Sequence, residues 1–205
     1  MIRDALRGTA GAAALLALFL GCALAGGAAS LIDTAVATQA AAIRTASPIV
    51  LRSALIITNL GSAPVTLGLG AIGALVLIGQ RKETRAAILL VAVIAERLAV
   101  EELKLLFGRA RPVFDVNIHI NSLSFPSGHA ANSLTAWVLA ACLLAPPRYR
   151  RGTIITALVI AFVVGATRVL LGVHWLSDVV GGWAVGMLAV MLALAADRRL
   201  SAQKQ

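Results

Sequence analysis

Residues 53–80 read SALIITNLGSAPVTLGLGAIGALVLIGQ, a continuous run without a charged side chain. A helix of about 20 apolar residues crosses the hydrocarbon core of a bilayer, so this stretch is long enough for a transmembrane span. The rest of the chain agrees, because 60% of its 205 residues are hydrophobic and only 13% are charged. A soluble domain of this size could not bury so much apolar surface and keep a polar exterior. The composition predicts an all-α integral membrane protein and excludes a disordered chain or an ordinary soluble enzyme.

Apolar runs of similar length recur along the chain. Four more contain no charged residue, and a fifth segment is apolar but interrupted by charges. In chain order they are Gly8–Ile32, Ala86–Phe107 (the interrupted one), Ala130–Pro147, Gly152–Thr167 and Val179–Ala196. Together with residues 53–80 they make six candidate spans.

The basic residues decide whether Ala86–Phe107 also crosses. If it does, both termini lie on one side, and the loops there hold more than half of the 18 Lys and Arg residues. These are Arg3, Arg7, Arg81, Lys82, Arg85, Arg148, Arg150, Arg151, Arg198, Arg199 and Lys204. Short loops rich in Lys and Arg face the cytoplasm. We therefore predict a six-transmembrane-helix bundle, a single domain over residues 1–205, in the inner (plasma) membrane with both termini cytoplasmic.

Two segments allow two interpretations each. The first predicted span follows Arg3 and Arg7, as a cleaved signal peptide would, but its apolar stretch exceeds the usual signal core of about 7–15 residues. Leu31–Leu51 mixes charged and polar residues with apolar ones. It is either an amphipathic helix along the outer interface or a plain loop.

The net charge of +9 does not indicate a nucleic-acid partner. The basic residues stand in short clusters between apolar runs, which is the pattern of helical membrane proteins. Cys22 and Cys142 both lie inside apolar runs and are interpreted as small core residues. Nothing in the sequence suggests a disulfide framework or a cysteine metal site.

Charged residues inside a membrane span are costly and indicate function. Five interrupt the third predicted span: Glu96, Arg97, Glu101, Glu102 and Lys104. Lys104 and Arg111 are seven residues apart, so two helical turns would place them on nearly the same face. Arg97 and Glu101 are four apart, a spacing at which the two side chains can pair along a helix. The simpler interpretation of Glu96, Arg97 and Glu102 is packing through ion pairs with neighbouring spans.

A second group of residues, Phe125 to His129, opens the fourth predicted span. Proline followed by Ser127 and Gly128 is typical of a helix N-terminus, where free backbone N–H groups and the helix dipole attract phosphate. His129 follows at once, so an imidazole would stand beside the anion site. By itself the group also fits a capped helix with an interfacial histidine.

A third group follows the fifth predicted span. Arg168 is a bidentate phosphate donor. His174 and Asp178 are four residues apart, so the carboxylate can accept a hydrogen bond from Nδ1–H and leave Nε2 free as a nucleophile. Simple structural pairing is the alternative. In the six-span layout all three groups meet at the non-cytoplasmic face.

The three groups together resemble the type 2 phosphatidic acid phosphatase family, in its membrane lipid phosphate phosphatase branch. The matching blocks are Lys104-x6-Arg111-Pro112, Pro126-Ser127-Gly128-His129 and Arg168-x5-His174-x3-Asp178. They occur in the family's order over about 75 residues, which is far more specific than any single block. The family usually has Ser where this chain has Thr167, and a hydroxyl is retained.

The resemblance implies a metal-independent lipid phosphatase without a cofactor. It implies that His174 is the nucleophile, that Asp178 stabilises it and that His129 is the general acid and base. Phosphate would be held by the cations and by the start of the fourth span: Lys104, Arg111, Ser127, Gly128 and Arg168. Undecaprenyl diphosphate is the leading substrate, with phosphatidylglycerophosphate, phosphatidate and lipid A phosphates as alternatives. A lipid phosphotransferase and a non-catalytic anion or lipid transporter are the competing functions, and the oligomeric state is not predicted.

Overall fold

The computed structural model describes residues 2–112 and 122–203, with side chains from residue 8 onward. All regular structure in these residues is helical. The helices are α1 (Ile2–Ala25), α2 (Leu31–Ala46), α3 (Pro48–Ile57), α4 (Ala63–Gly79), α5 (Glu83–Phe107), α6 (Gly128–Ser133), α7 (Leu139–Leu144), α8 (Arg150–Leu170) and α9 (Leu176–Ala202). A 3-10 turn, Thr58–Gly61, joins α3 to α4. A π-helix, Leu134–Val138, joins α6 to α7 into one continuous helix, Gly128–Leu144, which is called the rod below. Lys204, one of the basic residues counted above, lies outside the described residues.

The predicted span at residues 53–80 is wrong in its first third. That part belongs to α3 and the 3-10 turn, and α4 begins only at Ala63. The reason is local, because Ser62 has an extended backbone and Pro64 occupies the first turn of α4, where its missing N–H costs nothing. The first predicted span is also shorter than expected: α1 ends at Ala25, and Gly27 takes a left-handed φ of 96° before α2.

Leu31–Leu51 is not a plain loop. It contains α2 and the start of α3, which meet at Ser47 with a bend of 112°. Pro48 starts the second helix, as proline commonly does. The buried residues of α2 recur every three or four positions, so one face packs on the protein: Asp33, Ala37, Ala40 and Arg44. The segment is therefore helical, as one of the two interpretations had it, and its position along the outer membrane interface stays a prediction.

Three of the described helices are long and apolar enough to cross a membrane, namely α1 from Gly8, α8 and α9. The bent pair α2–α3 would make a fourth if it spans as one unit. The α4 helix and the rod Gly128–Leu144 are apolar but shorter, and α5 is 25 residues long but carries the charges noted above. The protein is therefore an all-helical membrane protein, while six spans stay a prediction.

The two ends of the bundle are defined by contacts between helices that are far apart in sequence. At one end Arg85 Nε lies 3.0 Å from Asp197 Oδ1, which joins the start of α5 to the last turns of α9. At the other end the Ser127 N–H donates to the Asp178 carbonyl at 2.9 Å, which joins the starts of α6 and α9. The residues of all three sequence blocks lie at this second end.

Close contact between α9 and α6 depends on glycine. A Cβ at Gly182 would lie 2.5 Å from the Ser127 carbonyl oxygen, and one at Gly186 would lie 2.7 Å from the Ala131 carbonyl oxygen. Small residues four apart allow helix backbones to approach closely inside a membrane. This approach brings the start of α9 against the start of α6.

Candidate active site

Asp178 is fully buried in the first turn of α9 and has a donor on each side. Its Oδ2 accepts from the Trp175 N–H at 2.9 Å and from Ser124 Oγ at 2.6 Å. Its Oδ1 accepts from Arg109 Nη1 at 2.8 Å. An acid three residues into a helix commonly caps it in this way, by accepting from the backbone N–H that precedes the helix. The carboxylate is therefore held in one orientation.

His174 lies in the turn before α9. A spacing of four residues is typical of a helix, but only Asp178 is on the helix itself. Its Nδ1 is 3.4 Å from Asp178 Oδ2, and its Nε2 is 3.1 Å from Arg111 Nη1. A guanidinium can only donate, so Nε2 must accept and the ring proton must lie on Nδ1, facing Asp178. This tautomer leaves a lone pair on Nε2, which is what a nucleophilic histidine needs.

The environment of His174 keeps its ring neutral. Burial lowers the pKa of His174 to about 4, and the charges of Arg111 and Arg168 act in the same direction. The hydrogen bond to Asp178 opposes these effects by favouring the charged ring. The neutral form therefore dominates at physiological pH.

Lys104 and Arg111 reach the pocket in a different way from the one predicted. The α5 helix ends at Phe107, and Gly108 takes a left-handed φ of 58°, so Arg111 lies on the following loop and not on the same helix face as Lys104. The loop nevertheless returns Arg111 to His174. Lys104 Nζ would lie 3.6 Å from a Cβ on Gly128 and pairs with Glu101 at 2.9 Å.

Half-buried Arg111 and buried Arg168 have only neutral hydrogen-bond partners among the described residues. Arg111 donates to three main-chain carbonyls, those of Ser122, Leu123 and Val173, and to the Ser122 hydroxyl. Arg168 donates to Thr58 Oγ1 at 2.9 Å. Within residues 2–112 and 122–203 neither arginine forms an ion pair with a carboxylate. Cations shielded from water, without a carboxylate partner in this part of the chain, are a favourable environment for a phosphate group.

Orphaned polar atoms mark the same place. Ser127 Oγ and Arg168 Nε are both buried without a hydrogen-bond partner in the described part of the chain. Buried polar atoms in folded proteins are nearly always paired, so each such atom needs an explanation. Each is a donor that a bound oxyanion could satisfy.

The start of α6 differs from the predicted phosphate site at one backbone donor, the Ser127 N–H. The Ser127 N–H, which we expected to face phosphate, donates to the Asp178 carbonyl, so only the Ser127 hydroxyl is free to donate there. Gly128 is the first residue of α6 and faces Lys104.

His129 is the second residue of that helix, and it interacts electrostatically with Arg168, His174, Lys104 and Arg111. Both imidazoles and the three cations therefore lie close enough to interact electrostatically. Thr167 takes no part, because its hydroxyl donates to the Val164 carbonyl within α8.

Sequence reasoning missed three residues around Asp178. Arg109 and Ser124 bind its carboxylate directly. Asp33 accepts from the Ser177 N–H at 2.9 Å and from the Gly27 N–H at 2.6 Å, so it ties the start of α2 to α9. Arg109 stands at an unspecified position of the first block, and the sequence offers no signal that separates it from its neighbours.

The charged side chains of α5 pair differently from the arrangements considered in the sequence. Glu101 pairs with Lys104 and not with Arg97 among the described side chains. Glu96 is buried, and neither carboxylate oxygen has a partner in the described residues. It lines an apolar groove of about 710 Å³ between α1, α5 and α9. A cluster of aromatic rings, Phe19, Phe107 and Phe125, stands between this groove and the arginine-bound Asp178.

Comparison with known proteins identifies the family of the chain. The sequence profile of the PAP2 superfamily matches residues 85–201. Phosphatidylglycerophosphatase B of Bacillus subtilis (strain 168) is 33% identical over 154 residues, which cover 73% of this chain and 76% of that protein. The crystal structure of a transmembrane PAP2 type phosphatidylglycerolphosphate phosphatase from Bacillus subtilis has a TM-score of 0.84 at 32% identity and covers 92% of this chain and 96% of its own. Aquifex aeolicus LpxE has a TM-score of 0.58 at 27% identity, with 73% and 87% covered.

An all-helical membrane protein with this pocket and these relatives is a membrane lipid phosphatase. The chain belongs to the PAP2 superfamily, which confirms the resemblance carried by the three sequence blocks.

Proposed function

We propose that this lipid phosphatase hydrolyses a phosphomonoester or diphosphate of a membrane lipid through a phosphohistidine on His174. One observation carries the proposal. His174 is buried and neutral, and the lone pair of its Nε2 faces Arg111. Arg111 and Arg168 have no carboxylate partner among the described residues. A nucleophile beside uncompensated cations suits attack on a phosphate.

In the first step the Nε2 lone pair forms a bond to phosphorus as the bond from phosphorus to the leaving oxygen breaks. His129 is protonated in the substrate complex because the bound phosphate anion offsets the surrounding cations. It donates this proton to the leaving oxygen, so the lipid leaves as an alcohol or, from a diphosphate, as a monophosphate. The His174 ring becomes positively charged, and Asp178 stabilises it through the Nδ1–H. The non-bridging oxygens are held by Lys104, Arg111, Arg168, the Ser127 hydroxyl and the N-terminal backbone at Gly128.

In the second step a water oxygen attacks phosphorus from the side opposite Nε2. The now neutral His129 accepts a proton from the water as the phosphorus–nitrogen bond breaks and its electron pair returns to Nε2. The products are inorganic phosphate and the starting forms of both histidines. Positioning and charge neutralisation are the main contributions a protein makes to phosphoryl transfer.

We propose further that the reaction needs no metal ion. Asp178 is the one carboxylate among the matched positions, and its oxygens are occupied by Arg109, Ser124 and Trp175. Two-metal phosphatases surround their ions with several such ligands. Full activity is therefore expected after dialysis against EDTA. Loss of turnover that Mg²⁺ restores would contradict the proposal.

The relatives favour one substrate over the others. A curated relative and a solved structure, both from Bacillus subtilis, are named as phosphatases of phosphatidylglycerophosphate. We propose that lipid as the first candidate for this chain, with undecaprenyl diphosphate second. The test is phosphate release in detergent micelles from a panel of both lipids, phosphatidate and lipid A. The highest kcat/KM is expected for phosphatidylglycerophosphate, and a clear preference for another lipid would reassign the substrate.

The same assay separates the competing functions. The His174→Ala variant is expected to release no phosphate, whereas a passive transporter would work without this ring. Label from a phosphate-labelled lipid is expected in free phosphate. Its appearance on an acceptor lipid would identify a phosphotransferase.

The proposed layout is a single six-span domain over residues 1–205 in the inner (plasma) membrane, with both termini cytoplasmic and the pocket facing the exterior. The spans would be α1, α4, α5, the rod Gly128–Leu144, α8 and α9. Support comes from the charge distribution, since the basic clusters around Arg85 and Arg150 belong to the end opposite the pocket. A pocket at the membrane surface is accessible to a lipid headgroup by lateral diffusion.

A further inference from the structure

Arg109 lies between the two cations of the first block, on the loop after α5. Its side chain is only 11% exposed and donates four hydrogen bonds. Nη1 donates to Asp178 Oδ1 at 2.8 Å and to Ser177 Oγ at 2.9 Å. Nη2 donates to the carbonyl oxygens of Cys22 and Ala23 at 2.7 and 2.8 Å. The guanidinium thus connects the end of α1 to the start of α9.

Packing fixes the direction of this side chain. The guanidinium carbon stands 4.3 Å from the centre of the Phe125 ring, a cation–π distance. On another side the stem passes Gly27, where a Cβ would lie 3.4 Å from Arg109 Cδ. The two carbonyls at the end of α1 belong to the negative end of a helix dipole, which favours a cation there. Arg109 is therefore held toward Asp178 from several sides.

The contacts of Asp178 show what this orientation achieves. Its Oδ1 accepts from Arg109, and its Oδ2 accepts from Trp175 N and Ser124 Oγ. The distance from Oδ2 to His174 Nδ1, 3.4 Å, is longer than these three. The weakest contact is the one that orients the nucleophile, so its geometry depends on where the stronger donors hold the carboxylate.

We propose that Arg109 is a positioning residue for the hydrolysis, holding the Asp178 carboxylate where it fixes His174. The inference rests on the proposed roles of Asp178 and His174. Within the described residues, the contacts of Arg109 are to Asp178, Ser177, Phe125 and the carbonyls of α1, so it acts through Asp178. Arg111 differs, because it contacts His174 itself.

The geometry requires arginine. Two terminal nitrogens of one rigid plane serve four acceptors on two helices, and a lysine ammonium offers a single nitrogen on a flexible stem. The Arg109→Lys variant keeps the charge but cannot reach α1 and Asp178 together. Charge alone is therefore expected to restore little of the function.

A purely structural role is the alternative, in which Arg109 only ties α1 to the bundle. A double-mutant cycle separates the two roles, because residues that act through one another are not additive. The cycle compares wild type, Arg109→Met, Asp178→Asn and the double variant. kcat and KM are measured for phosphatidylglycerophosphate in detergent micelles.

We expect Arg109→Met to lower kcat by about 10- to 100-fold, the loss typical of a charge-assisted hydrogen bond. KM should change by less than about threefold, since Arg109 does not bind the phosphate. In the Asp178→Asn background the same substitution should lower kcat by less than about threefold. An equal loss in both backgrounds, an unchanged kcat, or a rise in KM alone would overturn the proposal.

The matched control is Arg85→Met. Arg85 also joins the α5 region to α9 through an aspartate, at 3.0 Å from Asp197, but at the opposite end of the bundle. Its kcat is expected to equal that of the wild type. If Arg109→Met does not fold, Arg109→Lys decides: wild-type kcat in that variant contradicts the proposal, and a loss of similar size supports it.

The outcome for Arg109 can be told apart from the outcome for the proposed function. No phosphate release by the wild type would refute the function, and the positioning role with it. Turnover by the wild type and none by His174→Ala would support the function. The double-mutant cycle would then test the positioning role of Arg109 separately from the proposed function.

Discussion

Each nitrogen of the His174 ring has one charged neighbour: the Asp178 carboxylate at Nδ1 and the Arg111 guanidinium at Nε2. The first orients the ring, and the second stands where the phosphate of a substrate would arrive. Binding of an anion gives Arg111 a stronger acceptor than a neutral imidazole. In the proposed mechanism, Arg111 would therefore leave the Nε2 lone pair when phosphate binds.

The pH dependence of His174 follows from its burial. Because burial lowers its pKa to about 4 and the neutral ring is the proposed nucleophile, His174 should stay competent across roughly pH 5–8 and lose competence as the pH falls through about 4. The titration can be followed by nitrogen NMR of labelled imidazole, with His174→Gln to assign the signal. The charged and titratable groups facing it are Asp178, Arg111, Arg168 and His129. Titration near the ordinary value of about 6.5 would contradict the prediction.

Arg168 makes a second prediction at this scale. Inorganic phosphate should raise the thermal midpoint of the wild type in detergent, by the equivalent of about 2.7 kcal/mol at 100 times its Kd. In Arg168→Met the phosphate effect should disappear, because a main donor of the site is removed. The exposed Arg52→Met serves as control and should keep the full effect. A full phosphate shift in Arg168→Met would show that the anion binds elsewhere.

The proposed reacting residues could be named from the sequence because they follow fixed spacings along the chain. Their supporting residues were not. Ser124 is 54 positions from Asp178 and Arg109 is 69 positions away, so no local pattern links them. The engaged Ser127 N–H is another such case, since its acceptor belongs to a different helix.

Among the elements, α9 has the closest connection to the chemistry. It supplies Asp178 at its start, and its glycines let it lie directly against α6. The distance between the two helix starts is set by backbone contact at Gly182, and the hydrogen bond from Ser127 N to Asp178 O depends on it.

Gly182→Ala is therefore expected to damage the site. The added Cβ would lie 2.5 Å from a backbone oxygen that cannot move alone, so α9 must shift away from α6. Overpacking of this kind costs about 1–3 kcal/mol. We expect a lower thermal midpoint and a loss of kcat. Gly68→Ala is the matched control, because nothing lies within 4 Å of its Cβ in α4, and it should not reduce either value. Wild-type kcat in Gly182→Ala would contradict the argument.

The helical elements were predicted well where apolar runs lack breaks and less well where a local signal interrupts them. The last two predicted spans fall within α8 and α9. Residues 53–80 were predicted as one span because the run contains no charged residue. In the structure Ser62 and Pro64 interrupt this run and start a new helix, α4. A hydropathy pattern measures how apolar a stretch is and not where a cap redirects the chain.

At the scale of the whole molecule, the proposed orientation can be tested by labelling. Single cysteines replace the exposed Lys82 or the exposed Ser122 in a chain with Cys22 and Cys142 changed to alanine. A membrane-impermeant maleimide should label Ser122→Cys in intact cells, because this position lies at the pocket end. Lys82→Cys should react only after permeabilisation, since its end carries the basic clusters. The reverse pattern would place the pocket in the cytoplasm.

By itself the sequence determined that this is an all-helical membrane protein, and its three blocks identified a PAP2 phosphatase, because apolar length and motif spacing are properties of short stretches of chain. Only the tertiary structure decided which atoms are free and which are engaged. In the structure Arg111 contacts His174 from the loop after α5, the Ser127 N–H donates to the Asp178 carbonyl, and Arg109 donates to the Asp178 carboxylate. Each of these depends on groups from distant segments meeting in a buried volume, where every polar atom needs a partner and the available partners follow from packing.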